Sequence, residues 1–299
     1  MLERHTAHYF QMGLMLAIIG TGLFALKSIF IKLAFAEGVD ATTLLALRMI
    51  ISAPFYLIVL LWCLKSTDKL KPVLPDWLKI MALGFIGYYL ASWLDMQGLT
   101  YITAQLERLT LYTYPIFTTL LSWLVLKEAI TKRVWLALIL TYTGVLVLYL
   151  HEAKLSGSHV TLGVLLVVGS ALSYSCYVLF AKPFINHYGS RLFTSIAMLA
   201  SALFVIIHFF ITHTPTDLLV TPLVLWYATL IAIVSTLIPT YMIAEAIQRI
   251  GPARTSIVGT AGPIFTILMA VWLLAEPFGW FHLIGVGLVM WGVNLLGKK

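Results

Sequence analysis

The sequence predicts an all-α integral membrane protein with ten transmembrane helices in two inverted five-helix repeats. Composition, the spacing of apolar runs and an internal repeat carry that expectation. Of 299 residues, 61% are hydrophobic and 10% are charged, whereas a soluble domain holds nearer a quarter charged residues. So few charges cannot cover a water-facing surface, so lipid must be the solvent for most of it. A span takes about 20 apolar residues, and a chain of this length holds about ten with short loops.

Apolar windows between charged or Gly/Pro-rich breaks fall at about 12–35, 43–64, 77–98, 103–126, 134–150, 162–181, 192–212, 223–245, 253–275 and 279–297. The first run outlasts the 7–15 residues of a signal-peptide core and is taken as a retained span. Only Glu276-Pro277-Phe278 separates the ninth and tenth runs, which forces a tight hairpin. Of the 19 Lys and Arg, Lys27, Lys32, Arg48 and Arg108 fall within spans. With the N-terminus in the cytoplasm, fourteen of the others lie on the inner side and only Lys154 lies outside. The positive-inside rule therefore places both termini in the cytoplasm of a multi-pass inner-membrane protein.

The repeat is visible as Pro115-Ile116-Phe117-Thr118 against Pro263-Ile264-Phe265-Thr266, an offset of 148 (263 − 115). At the same offset Leu126-Lys127-Glu128 meets Leu274-Ala275-Glu276. Five helices per copy is odd, so the copies run in opposite directions: 1–155 and 156–299. Inverted repeats around a midplane site are the architecture of secondary carriers.

The formal charge of +7 sits at span ends without a basic face, so no nucleic-acid partner is expected; the partners are lipid and a small-molecule substrate. Cys63 and Cys176 lie inside apolar runs and read as inert thiols. Gly20 to Ala25 imitates a dinucleotide fingerprint and Gly292 to Lys298 a phosphate loop, but both occur within spans and lack their flanking context. Of the eight His, only His208 and His282 lie at spans. No metal and no cofactor is expected, and no enzymatic nucleophile is evident.

Ionisable residues at membrane depth mark the site, because a charge there costs roughly 2.5–3.5 kcal/mol unless it faces a cavity or a partner. They are Lys27, Arg48, Asp95, Glu107 and Arg108. Structural ion pairing competes with substrate contact for the last three, and snorkelling competes for Lys27 and Arg48. Glu107, Thr110, Tyr114, Thr118 and Ser122 recur at helical spacing and predict one wet stripe on the fourth helix. Tyr88, Ser92 and Asp95 do the same on the third, and Ser170, Ser173 or Tyr174, and Tyr177 on the sixth. Pro115, Pro239 and Pro263 are expected to kink their helices, as hinges or as static bends.

Several of these features resemble the drug/metabolite transporter superfamily, and its EamA branch in particular. They are Lys32 late in the first helix, Arg48 early in the second, and Ala-x-x-Glu-Arg-x-x-x-Tyr-x-Tyr-Pro from Ala104 to Pro115. Gly251-Pro252-Ala253 with Pro263, and Glu128 and Glu276 closing the fourth and ninth helices, complete the set. The resemblance implies a ten-helix carrier with a central cavity, moving a small polar metabolite, an amino acid or a drug outward. Arg48 and Glu107 have no charged counterpart in the second half, where Met198 and Thr255 stand. The substrate-binding set is then Lys27, Arg48, Tyr88, Ser92, Asp95, Glu107, Thr110, Tyr114 and Tyr177. Glu107, and after it Asp95, are the residues expected to carry a coupling proton. Two rival readings stay open on sequence: an intramembrane enzyme acting on a lipid-like substrate, and a channel or scaffold without active transport.

Overall fold

In hydrocarbon a backbone amide finds no water, so an apolar run can satisfy its N–H and C=O groups only by closing them on itself. The computed structural model describes residues 2–65, 72–127, 132–156, 159–250, 258–259 and 261–297, and nearly all of these are helical. In chain order α1 is Leu2–Ala36, α2 Ala41–Lys65, α3 Leu74–Gly84 and α4 Ala91–Leu99. They are followed by α5 Ala104–Leu111, α6 Tyr114–Leu126, α7 Lys132–Ser156, α8 His159–Tyr188 and α9 Ser190–Thr212. The chain ends with α10 Pro222–Thr229, α11 Ile238–Ile250, α12 Gly262–Leu274 and α13 Trp280–Gly297.

Seven helical stretches among the described residues are long and apolar enough to cross a membrane. They coincide with the first to third and fifth to eighth segments expected from the sequence. The ninth and tenth segments, α12 and α13, are shorter apolar helices. The fourth is interrupted. The surface is apolar, with Trp272, Ile211 and Leu165 exposed, and the mostly apolar interior also holds Glu107, Thr110, Gln105 and Ser201, which have no exposed area.

The interruption in the fourth segment corrects the expected continuous helix. Proline disfavours helical geometry in the residue before it and cannot donate to the carbonyl four back. With Pro115 in place, helix α5 stops at Leu111, Tyr112 and Thr113 make a turn, and α6 restarts with Pro115 in its first turn. The five-residue polar stripe is therefore split. Glu107 and Thr110 stay on the buried α5, while the Thr118 hydroxyl on α6 merely donates to the Tyr114 carbonyl of its own helix at 2.9 Å.

The same local geometry returns 148 residues later. Helix α12 spans as many residues as α6, begins on Gly262-Pro263, and is preceded by Ala261 at φ −74°, ψ −13° against φ −75°, ψ −10° at Thr113. Both helices end on a left-handed residue, Lys127 at φ 56° and Ala275 at φ 51°. Pro115 and Pro263 thus sit at helix starts rather than mid-helix. Glu128 and the Gly251-Pro252-Ala253 motif lie outside the described residues.

Two wide π-helical turns, Phe85–Leu90 and Leu230–Leu237, link α3 to α4 and α10 to α11, and Pro239 opens α11 just beyond the second. Hydroxyl groups dock on backbone carbonyls at both turns. In the first, Ser173 of α8 donates to the Ile86 carbonyl at 2.6 Å, and Ser170 donates to that of Ala91 at 2.7 Å. In the second, the Thr236 hydroxyl reaches back to Ile231 at 2.8 Å. Packing pairs α1 with α11 and α12, α2 with α9, α7 with α13, and α8 with α4, α5 and α6.

Asp40 precedes α2 and accepts from the amides of Thr42 and Thr43 at 2.8 and 3.0 Å, with the His213 ring 3.4 Å away. Partial burial pushes its carboxyl upward, but hydrogen bonds from Thr43, the His213 charge and the Thr42 amide outweigh it and hold it below the usual range.

Candidate functional site

Lys27 and Ser28 on α1, Arg48 on α2, Asp95 on α4, and Glu107 and Arg108 on α5 converge in the interior. The four charged side chains besides Arg48 are all at least nine-tenths buried, and Arg48 is 4% exposed. The Lys27 ammonium meets Asp95 Oδ2 at 2.7 Å. The Ser28 hydroxyl donates to Glu107 Oε2 at 2.6 Å and accepts from Arg108 Nη2 at 3.0 Å. Arg108 also donates to the carbonyls of Phe24 and Ala25 at 3.3 and 3.5 Å. Although Glu107 and Arg108 point about 100° apart on their helix, their long side chains both end on Ser28.

The Asp95 and Glu107 charges act on each other across the site. The other carboxyl oxygens, Asp95 Oδ1 and Glu107 Oε1, have no N–H or O–H donor among the described residues. Lys27 is a partner of Asp95 here, which commits it to an ion pair.

Arg48 is different. Its Nε and Nη1 find no acceptor among the described residues, and Tyr56, Asp95 and Tyr88 are the groups that feel its charge. A buried charged donor left unpaired costs at least about 1–3 kcal/mol. Beside it stands an aromatic wall. Tyr88 comes from the first π turn, where Gly87 lacks the Cβ that would strike the Tyr177 ring. The Tyr177 hydroxyl donates to Tyr88 at 3.2 Å, and their ring centroids are 4.9 Å apart. Tyr177 stacks on Tyr174 at 5.6 Å, and Tyr174 meets Tyr114 edge-on at 5.2 Å. Ser92, one turn before Asp95, and Thr110, whose hydroxyl has no partner among the described residues, are buried nearby on α4 and α5.

The structure thus gathers most of the residues singled out from the sequence, and adds Ser28 and Tyr56. Tyr56 stands eight residues after Arg48 on α2, a same-face spacing that could have flagged it. Ser28 carried no signal, since a lone serine in a span is ordinary. A separate cavity of about 420 Å³ lies beyond the start of α5, lined by Lys32, Thr103, Glu152 and Glu276 among others. Burial pushes the Glu276 carboxyl up, although the amides of Ala104 and Gln105 and the Lys32 charge oppose it. Among the described residues no three His, Cys, Asp or Glu side chains converge as metal ligands.

The chain matches the EamA-like transporter family over residues 11–150 and 161–297. It belongs to the EamA-like transporter family. The EamA-like chain is 28% identical to "Uncharacterized transporter YcbK" of Bacillus subtilis (strain 168) over 92% of its length and 89% of that protein's. It is 22% identical to "Uncharacterized transporter YetK" of the same organism over 100% of its length and 90% of that protein's. A solved structure titled "Crystal structure of protein" shares the fold, with a TM-score of 0.62 over 96% of each chain at 16% identity. Family and relatives point to a multi-pass membrane transporter rather than an enzyme.

Proposed function

We propose that this EamA-like protein is a secondary carrier exporting a small organic metabolite or drug that bears a carboxylate and an apolar part, an amino acid being the simplest example. The observation that carries the reading is Arg48: a guanidinium buried in the interior with two donors unspent, next to a wall of tyrosines. Lys27, Arg48 and Arg108 face Asp95 and Glu107, and three cations against two carboxylates leave the cluster positive, which favours an anionic group on the substrate. Arg48 takes that carboxylate. Tyr88, Tyr114 and Tyr177 take the apolar part, with Ser92 and Thr110 supplying hydroxyls. Lys27 and Asp95 position the cluster and exchange partners during transport.

The recurrence at 148 residues supports two inverted repeats, 1–155 and 156–299, with ten spans and cytoplasmic termini in the inner membrane. The breaks before Pro115 and Pro263, and the π turn before Pro239, are the hinges. Glu107 carries the coupling proton, with Asp95 as its partner in the exchange.

Profiling exported metabolites in overexpressing and deletion cells identifies the substrate, and counterflow in proteoliposomes then tests carriage. Arg48→Ala should abolish counterflow while the protein inserts and elutes as one monodisperse species. Retained counterflow would overturn Arg48 as the anion site. Cysteines in the 65–76 loop that resist an impermeant reagent added outside, and one at Ser158 that reacts, would support the orientation.

A further inference from the structure

Helix α5 carries Glu107 and Arg108, yet its N-terminus is completed by other parts of the chain. Glu276, in the turn after α12, accepts from the Ala104 amide at 2.8 Å through Oε1 and from the Gln105 amide at 3.3 Å through Oε2. Gln105 Nε2 donates to the neighbouring Pro277 carbonyl at 3.0 Å. Glu152, at the end of α7, accepts from the Thr103 amide at 3.4 Å and from the Thr103 hydroxyl. Only the Leu106 amide is capped locally, by Thr103 Oγ1 at 3.1 Å. The positive end of the helix dipole is thus held by two carboxylates from distant segments.

The clamp has the ingredients of a two-state element. The turn at Tyr112-Thr113 separates the eight-residue α5 from α6, so α5 is a short rod. The cavity of about 420 Å³ lies against the clamp, and Lys32 lines it with Glu152 and Glu276. The Lys32 charge feels Glu276, then Glu152, then Glu107. Lys32 is therefore an alternative partner for both carboxylates if they let go of α5. Deeper along α1 the Ala25 carbonyl receives Arg108 and the Thr266 hydroxyl, and Ala25 is 1% exposed.

We propose that Glu276 and Glu152 form a gate latch: bound to the α5 N-terminus they close the path from the cavity to the Lys27–Asp95–Glu107 cluster, and transferred to Lys32 they open it. The latch rests on the carrier reading above, and the orientation proposed there makes this the outer gate.

The test uses the full chain in nanodiscs with Cys63 and Cys176 replaced by Ala. Spin labels on Thr100→Cys and Gly279→Cys report the separation across the clamp, and Ala25→Cys reports access by an impermeant maleimide. The latched parent should give one narrow distance distribution and slow labelling. Glu276→Ala with Glu152→Ala should add a longer distance and speed labelling at least tenfold. Glu276→Gln, which keeps one acceptor oxygen, should fall between. Unchanged distances and labelling in the double variant would overturn the latch. So would a double variant that fails to fold while Glu276→Gln matches the parent, since the cap would then be only structural. Arg48→Ala should leave the distances as in the parent, so loss of transport in that variant tests the substrate reading without touching the latch. A longer distance with labelling from the inner side alone upholds the latch and reverses the orientation.

Discussion

Replacing Asp95 by Ala leaves the Lys27 ammonium without its 2.7 Å partner in a site where both side chains are at least nine-tenths buried. Breaking a buried ion pair from one side costs about 3–5 kcal/mol, because an uncompensated charge remains. Replacing both members by apolar residues of similar volume is often neutral or stabilising. Asp95→Ala and Lys27→Ala should each therefore destabilise by about 3–5 kcal/mol, and Lys27→Met with Asp95→Leu should recover most of that loss. On the scale of soluble domains of 150–250 residues, where 1 kcal/mol moves the melting temperature by about 2–4 °C, the single variants should melt roughly 6–20 °C lower. Unfolding in detergent is commonly irreversible, so all variants must be compared at one scan rate. The assay is thermal unfolding of purified protein in a single detergent, read by tryptophan fluorescence. If single variants melt with the parent, or if the double variant loses the sum of the two singles, then Lys27–Asp95 does not hold the fold together. If the double variant is stable yet fails to transport, the pair works in the cycle as well as in the fold.

Other outcomes follow from the same structure. Glu107→Gln in proteoliposomes should remove the response of transport to an imposed pH gradient; a response like the parent's would exclude Glu107 as the coupling group. Gly87→Ala should cost about 1–3 kcal/mol, since its Cβ would strike the Tyr177 ring, and substrate affinity should fall with it; thermal unfolding at the same scan rate and a binding assay check both. Asp40 holds its proton less readily in the fold than an unconstrained Asp near 3.9. Its contribution to stability is therefore full above that value and is lost as pH falls through the folded value. Asp40→Ala should flatten the acid limb of a melting-temperature profile and cost about 1 kcal/mol at neutral pH through the lost cap.

The membrane class of the chain was legible in the sequence, because lipid imposes composition, and the Pro115/Pro263 recurrence announced the matching starts of α6 and α12. The break before Pro115 was obscured by the polar residues that kept a 3.6-residue period straight through it; the proline held the better information. Which charge would pair with which was not legible. Lys27 and Asp95 are 68 positions apart, and either could have met Arg48, Glu107 or Arg108 until the packing of α1 on α4 and α5 was known. Glu276 was noticed as the close of the ninth helix, yet its two oxygens serve the start of α5. That role depends on where the ends of helices meet, which no periodicity encodes.

The dependence of α5 on Glu276 has a consequence for biogenesis. The Ala104 amide and its acceptor are separated by 172 positions. At about 5–20 residues per second of synthesis, the ribosome needs roughly 10–30 s between delivering one and delivering the other. During that interval the α5 N-terminus has no Glu276 to cap it, and the nascent chain must leave that end in water or in the care of the insertion machinery. The fourth segment should therefore settle late, after the ninth has emerged. Nascent chains stalled short of residue 276 should show the 104–111 region open to proteolysis or labelling that the finished protein resists.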